Sequence, residues 1–287
     1  MRIGIAGAGR VGCSLALALA AGGAEVSGVY SRRPEAAAEA FNGTNIVCEG
    51  DVRRLIEKSD MIFLTVPDSE IAPFSARIAG LCGSAAAGKV FLHCSGALTS
   101  SEFKELGELG AVTGSLHPIQ TFPDREKSWR AMYGIYFGFE GPDAAIPAAA
   151  EAVSVLKGQM LMIGPEDKPL YHAAACVLSN YTAALSYAAG GLLERAGISR
   201  EDGMRAFGPL LRNTAANIIA EGSVKALTGP IARGDTATVL GHLAAIGADD
   251  RETAELYKIL GRLTVKLARL KGSIDGEQAA ALLGALD

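Results

Sequence analysis

Three glycines near the amino end, in the run Gly7-Ala8-Gly9-Arg10-Val11-Gly12, have the spacing at which a backbone can hold a phosphate. Gly7 permits a tight turn, and Gly9 withholds the side chain that would keep a pyrophosphate off the backbone. Gly12 lets the following helix pack close to the strand before it. About 20 residues further on, where a protein that grips a ribose 2′-hydroxyl places an acid, stands Ser31-Arg32-Arg33. An acid there would repel a 2′-phosphate, whereas an arginine pairs with it through two hydrogen bonds. The spacing therefore predicts a dinucleotide site with NADP(H) as the expected cofactor. Val66, Pro67 and Asp68, at the end of the most apolar strand, are expected to flank its adenosine half, and Ser95 and Gly96 the nicotinamide end.

A second set of residues could carry the reaction. Lys168 stands four residues before His172, a spacing that stacks both on one helix face, with Cys176, Ser179 and Asn180 following on or beside that stripe. A lysine held near a positively charged nicotinamide in a partly buried cleft would have a lowered pKa, which suits a general acid. The alternative is a surface lysine where the helix starts. Arg233, between Gly229-Pro230 and Gly234, is the candidate for gripping a carboxylate, or else a solvated loop arginine. Asp235 reads as a helix cap. His93 and His117 leave successive strands at the edge where a nicotinamide would lie; each reads first as a hydrogen-bonded structural group, and His117 is also placed among the substrate-binding candidates with Ser179 and Arg233.

The elements that must position these groups follow from hydrophobic pattern and punctuation. Strands are read over 2–6, 25–30, 45–48, 61–66, 89–93, up to 118, 131–140 and 160–163, separated by helices over 13–21, 34–41, 52–58, 71–81 and 143–156. From Gly164 the pattern is helical, over 170–189, 201–206, 210–220, 236–246, 250–270 and 276–286. The fold class is α/β: a doubly wound, mostly parallel Rossmann sheet in residues 1–164, then an all-helical domain in 165–287 for substrate and dimerisation. Leu256, Leu260, Leu263, Leu267 and Leu270 form a stripe read as core or as a homodimer interface.

At 287 residues and 49% hydrophobic, the chain is long enough for two such domains. A net charge of −4 without a basic run speaks against nucleic acid, and no stretch approaches the ~20 apolar residues of a membrane span. With Met1 running straight into a strand and five cysteines scattered singly, the expectation is a cytoplasmic protein without structural metal, acting on a small molecule.

In order, IGIAGAGRVG, TVPD, HCSGAL, SLHPIQTF, KPLYHAAACVLSN and LTGPIARGD resemble bacterial proteins that join a Rossmann-like domain to a helical domain of unknown function. The resemblance spans essentially the whole chain. Its wider relatives include 6-phosphogluconate dehydrogenase, pyrroline-5-carboxylate reductase and ketopantoate reductase. It implies NADPH-dependent reduction of a small acid. In ketopantoate reductases a lysine at the start of the first helix of the helical domain donates the proton and an asparagine one turn later orients the substrate. Lys168 matches the lysine, but His172 stands in the asparagine's place. The expected reaction is hydride transfer to a ketopantoate-like 2-oxo acid, with Lys168 or His172 as proton donor, Asn180 orienting the carbonyl and Arg233 on the carboxylate. Imine reduction of the pyrroline-5-carboxylate type and non-catalytic NADP sensing are the alternatives.

Overall fold

The computed structural model describes residues 1–125, 127–247 and 249–287. They divide into two compact units, Met1–Asn180 and Tyr181–Asp287. In the first, β1 (Arg2–Ala6), α1 (Arg10–Ala21), β2 (Glu25–Tyr30), α2 (Pro34–Ala38), β3 (Cys48–Glu49), α3 (Val52–Lys58) and β4 (Met61–Leu64) are followed by α4 (Asp68–Cys82) and β5 (Val90–His93). Then come α5 (Lys104–Glu108), β6 (Val112–Pro118), β7 (Tyr136–Glu140), α6 (Ile146–Val155), β8 (Gln159–Met162) and α7 (Lys168–Leu178).

One eight-stranded sheet runs in the order β3-β2-β1-β4-β5-β6-β7-β8. The first six strands are parallel, β7 is antiparallel to β6, and β8 is parallel to β7. The chain builds outward on one side of β1, then crosses to build on the other, so the carboxyl ends of β1 and β4 bound the crevice where such sheets take ligands. Alternation along the strands fills both faces. Ile3, Ile5, Met61, Phe63 and Leu92 lie in one buried cluster with α1 and α6, and Ile62, Leu64 and Phe91 in another with α3 and α4.

One row of paired residues crosses the sheet at the functional edge. Tyr30 pairs with Ala6, Ala6 with Leu64, Leu64 with His93, His93 with Ser115, and Ser115 with Glu140. This register brings the glycine turn, Ser31, Thr65–Asp68 and Cys94–Gly96 to one rim of the sheet, beside Ser115 and His117.

The second unit consists of α8 (Asn180–Arg195, its first residue belonging to the first unit), α9 (Arg200–Glu221), α10 (Ser223–Ala226), α11 (Thr236–Ile246), α12 (Arg251–Lys271) and α13 (Gly276–Ala285). Ile231, Val239, Val265, Ala268, Ile274, Leu282 and Leu286 form its core. Side-chain caps start its helices: Ser199 accepts from the Asp202 N–H, Asp235 from Thr238, and Asp275 forms a capping box with Gln278.

Several element boundaries differ from the pattern-based expectation. The helix expected over 170–189 is two helices, α7 and α8, separated at Ser179, where Ser-Asn offers the backbone competing side-chain partners. The two helices expected around Pro209 are one, α9. Gly208 lacks the side chain that a following proline would crowd, and the carbonyl left without its N–H belongs to Arg205, an exposed residue, so leaving that bond unmade costs little. Residues 128–132 form a tight turn of helix, so β7 begins only at Tyr136. The leucine stripe of α12 is not the unit's core: Leu260, Leu263 and Leu270 are exposed, and Gly261, Val265 and Ala268 make the buried face.

Candidate functional site

The glycine turn is built as its spacing implies. Gly7 sits at φ +127°, open to glycine and strained for other residues, and its N–H donates to the Tyr30 carbonyl at 3.0 Å. A side chain on Gly12 would run into the Gly7 carbonyl and the Thr65 hydroxyl. In front of Gly9 the nearest atom to an added Cβ is the Thr65 carbonyl at 3.8 Å, which leaves open the space a pyrophosphate would take. No side chain caps α1, so its first N–H groups face that space. Thr65, which the motif does not name, ties the turn to β4 by donating its hydroxyl to the Gly7 carbonyl at 2.8 Å.

Ser31 shapes the next turn by accepting the Arg33 N–H at 3.1 Å. Arg32 and Arg33 are exposed, and neither guanidinium has an ion-pair partner among the described residues. Both are therefore available to a phosphate. These features fit a dinucleotide: a cradle that a side chain would fill, uncapped helix N–H groups, and unpaired cations at the end of β2.

The loop after β5 is organised by its own side chains. Ser95 donates to Asp68 Oδ2 at 2.8 Å, and its Oγ accepts the N–H groups of Ala97 and Leu98. The Ser95 N–H donates to His93 Nδ1 at 3.2 Å, so the proton of that neutral ring lies on Nε2, which donates to the Thr99 carbonyl at 2.9 Å. Burial holds His93 down to about 4. His93 thus fastens the loop. Asp68, expected beside the adenosine, accepts the Ser95 hydroxyl, while Val66 is half-buried and Pro67 stands at the first position before α4.

Lys168 is the first residue of α7 and points inward, wholly buried. Its Nζ donates to Ser115 Oγ at 2.5 Å and to the Ser95 carbonyl at 3.2 Å, and Ser115 Oγ donates to the same carbonyl. Burial pushes the ammonium down to about 8, against the opposing pull of Glu140, Asp68 and Cys94. Burial pushes the Cys94 thiol up to about 12, against the opposing pull of Lys168.

One turn along α7, His172 lies edge-on to His117 with ring centroids 5.9 Å apart. Its Nε2 is 3.7 Å from Cys176 Sγ, while its buried Nδ1 has no hydrogen-bond partner among the described residues. Tyr171 Oη is 2.7 Å from His117 Nδ1. Gly96 lies against both imidazoles, since a Cβ there would collide with His172 Nδ1 and stand 3.1 Å from His117 Nε2. Lys168, His172, His117, Ser95 and Gly96 are thus brought together at the rim of the sheet.

Ser179 and Asn180 are not part of this cluster. They are exposed where α7 gives way to α8, about 16–18 Å from Lys168 along a helical rise. Arg233 lies in the second unit. It is exposed and without a side-chain partner among the described residues, on a turn fixed by Gly234 at φ +72° and by the Arg233 and Asp235 N–H bonds to the Pro230 carbonyl.

Sequence reasoning missed Tyr171 and Ser115, although both carried a signal. Tyr171 is three residues from Lys168, the other spacing that shares a helix face, and Ser115 alternates with His117 on one side of β6.

The fold and the glycine turn define a Rossmann-type α/β protein with an added helical unit. More narrowly, residues 1–118 match the Rossmann-like domain family and residues 135–264 match a domain of unknown function, DUF2520. No curated protein matches it. Among solved structures it is similar to a candidate NADP oxidoreductase of Bacteroides fragilis, at 24% identity over 92% of this chain and 98% of that one, with a TM-score of 0.71. It is also similar to an imine reductase of Myxococcus stipitatus in complex with NADP+, at 16% identity over 99% and 100% with a TM-score of 0.66. A reductive aminase of Aspergillus terreus, in complex with NADPH and ethyl levulinate, is 19% identical over 98% and 97% with a TM-score of 0.62. At these identities the likeness establishes a shared fold.

Proposed function

We propose that the protein is an NADP(H)-dependent oxidoreductase that reduces a small carbonyl or imine substrate. The observation that carries this reading is the buried Lys168 ammonium, held at the strand-end rim that also carries the glycine turn and the unpaired Arg32 and Arg33. The solved structures of like fold that bind NADP+ or NADPH support the cofactor assignment. NADPH, when bound, supplies a hydride from its nicotinamide C4.

The chain's own residues do the rest. Gly7, Gly9 and Gly12 with the first N–H groups of α1 hold the pyrophosphate, and Ser31, Arg32 and Arg33 hold the 2′-phosphate. Lys168 carries the proton that the reduced oxygen or nitrogen receives. Its lowered pKa keeps it protonated at neutral pH while easing release, and its enclosure directs the proton to a docked group rather than to water. Ser115 and the Ser95 carbonyl fix its position.

For substrate, we favour a 2-oxo acid of ketopantoate type, because Arg233, on a turn with a fixed backbone, offers an exposed guanidinium without a side-chain partner among the described residues, suited to a carboxylate. The experiment is NADPH oxidation followed by absorbance with ketopantoate and a cyclic imine in parallel. Turnover with the 2-oxo acid supports the full reading, and turnover with the imine alone replaces the substrate. Tight NADPH binding with no turnover on either, or on a wider panel of 2-oxo acids and imines, favours a sensor.

A homodimer belongs to the same proposal. Among the residues of α9 only Gly203 is buried, while Ile219 is 86% and Leu210 62% exposed, and α8 buries only Gly190. A 22-residue helix with so little packing of its own needs a partner present whenever the chain is made, and a second copy meets that condition.

A further inference from the structure

Tyr171 has no place in the reading above, yet the structure makes room for it. It reaches over β7 at Gly138, where an added Cβ would meet its hydroxyl oxygen at 2.5 Å, and Gly138 is the residue paired with His117 across the β6–β7 ladder. A side chain at position 138 would hold the phenol away from the imidazole. On the other side of the ring, Gly96 is bare for the same reason, its α-carbon facing His117 Nε2. His117 is therefore a histidine whose two nitrogens have separate surroundings, the phenol at Nδ1 and the loop after β5 at Nε2.

The hydrogen-bond inventory orients the pair. The Tyr171 hydroxyl has His117 Nδ1, at 2.7 Å, as its hydrogen-bond partner among the described residues. If Nδ1 carried the proton and donated it, the phenol hydrogen would have no acceptor, at the cost of an unmade bond in a part-buried place. If the phenol donates, Nδ1 is the acceptor and the ring hydrogen lies on Nε2. Burial and the neighbouring His172 and Lys168 disfavour a second proton, holding the imidazole down to about 4, so one hydrogen is shared between two nitrogens and its location is a choice.

We propose that Tyr171 is a positioning residue that fixes His117 as the neutral Nε2–H tautomer, so that β6 presents a hydrogen-bond donor over Gly96, beside the unpartnered Nδ1 of His172, to the oxygen or nitrogen of the group being reduced. The function of the donor rests on the reductase reading, but the tautomer does not. No proton leaves His117 in this role. The ring strengthens its hydrogen bond as electron density builds on the reacting atom, while Lys168 supplies the proton.

The test is nitrogen-15 correlation NMR of the imidazoles in the full-length protein. Four histidines make assignment by single His→Gln replacement practicable, and His93, locked as Nε2–H by backbone bonds, is an internal reference. Wild type is expected to show His117 as Nε2–H, and Tyr171→Phe, which keeps the ring but loses the hydroxyl, is expected to show a tautomer mixture. With whichever substrate turns over, Tyr171→Phe should lower kcat about tenfold with KM changed less than threefold and NADPH affinity unchanged. A wild-type His117 carrying its proton on Nδ1, or a Tyr171→Phe spectrum like that of wild type, overturns the proposal. If the spectra come out as expected but wild type reduces nothing, the tautomer assignment stands and the reductase reading falls.

Discussion

Lys168 is an expensive residue to bury, and no ion pair offsets that cost among the described residues. Desolvating an ammonium costs several kcal/mol unless its donors are satisfied, yet here two neutral oxygens, not a carboxylate, take its hydrogen bonds. Lys168→Met removes the charge at similar volume and leaves the Ser115 hydroxyl still bonded to the Ser95 carbonyl. The expected result is a melting temperature unchanged or raised, with turnover lowered by about 10²–10⁴-fold. Wild-type kcat/KM should fall as pH rises past about 8, as the ammonium loses its proton, and that limb should vanish in Lys168→Met.

His93 and His117 make a separate prediction about stability. Both are held near 4 in the fold by burial, against about 6.5 in an unfolded chain, so the unfolded state binds more protons between those values. Stability is therefore fully present above pH 6.5 and is lost as pH falls toward 4. Urea unfolding at pH 5.5 should give a stability about 2–3 kcal/mol below that at pH 7.5. Equal values would mean that the rings are solvated. The lysine and His172 were legible in the sequence because a four-residue spacing needs only a helix. A hydrogen-bonded role for His93 and His117 was legible too, but their partners were not, because these depend on which neighbour each nitrogen meets, and for His117 that neighbour is set by the packing of α7 against the antiparallel β7.

The parallel strands and the glycine turn were the most readable elements. Short apolar runs ending in Gly7, Thr65 and Cys94 announce strands buried on both faces, and the pairing row from Tyr30 to Glu140 follows once those strands are parallel. Helix boundaries were less readable. Pro209 normally stops a helix, but Gly208 and an exposed preceding turn let α9 pass through, and Ser179 interrupts a run whose composition is uniformly helical. The loop after β5 depends on a glycine for space rather than for a turn. Gly96→Ala should lower stability by about 1–3 kcal/mol through collision with His172, and His172→Ala in the same chain should restore most of that loss. Full loss in both variants would show that the loop itself had been distorted.

The two units differ in how far they are self-sufficient. The first has a core on both faces of its sheet, whereas the second leaves Met204, Phe207, Leu210, Leu211, Ile218 and Ile219 of α9 exposed. Sequence patterning indicated a helical unit and read the α12 leucines as core or as a homodimer interface; the apolar surface of α9 was not legible, because α9 shows no single apolar stripe to mark it. Light scattering should give twice the chain mass of 29.6 kDa, and Leu210→Glu with Ile219→Glu should yield monomer or aggregate. A wild-type monomer would refute the dimer.

The glycine turn and the two arginines carry the claim on which the rest stands, and direct titration of the protein with NADPH and with NADH, read by cofactor fluorescence, tests it without knowledge of the substrate. NADPH should bind at least about tenfold more tightly, and Arg32→Asp should abolish that preference by placing an acid against the 2′-phosphate. Equal affinity for the two dinucleotides in wild type, or binding of neither, would contradict it.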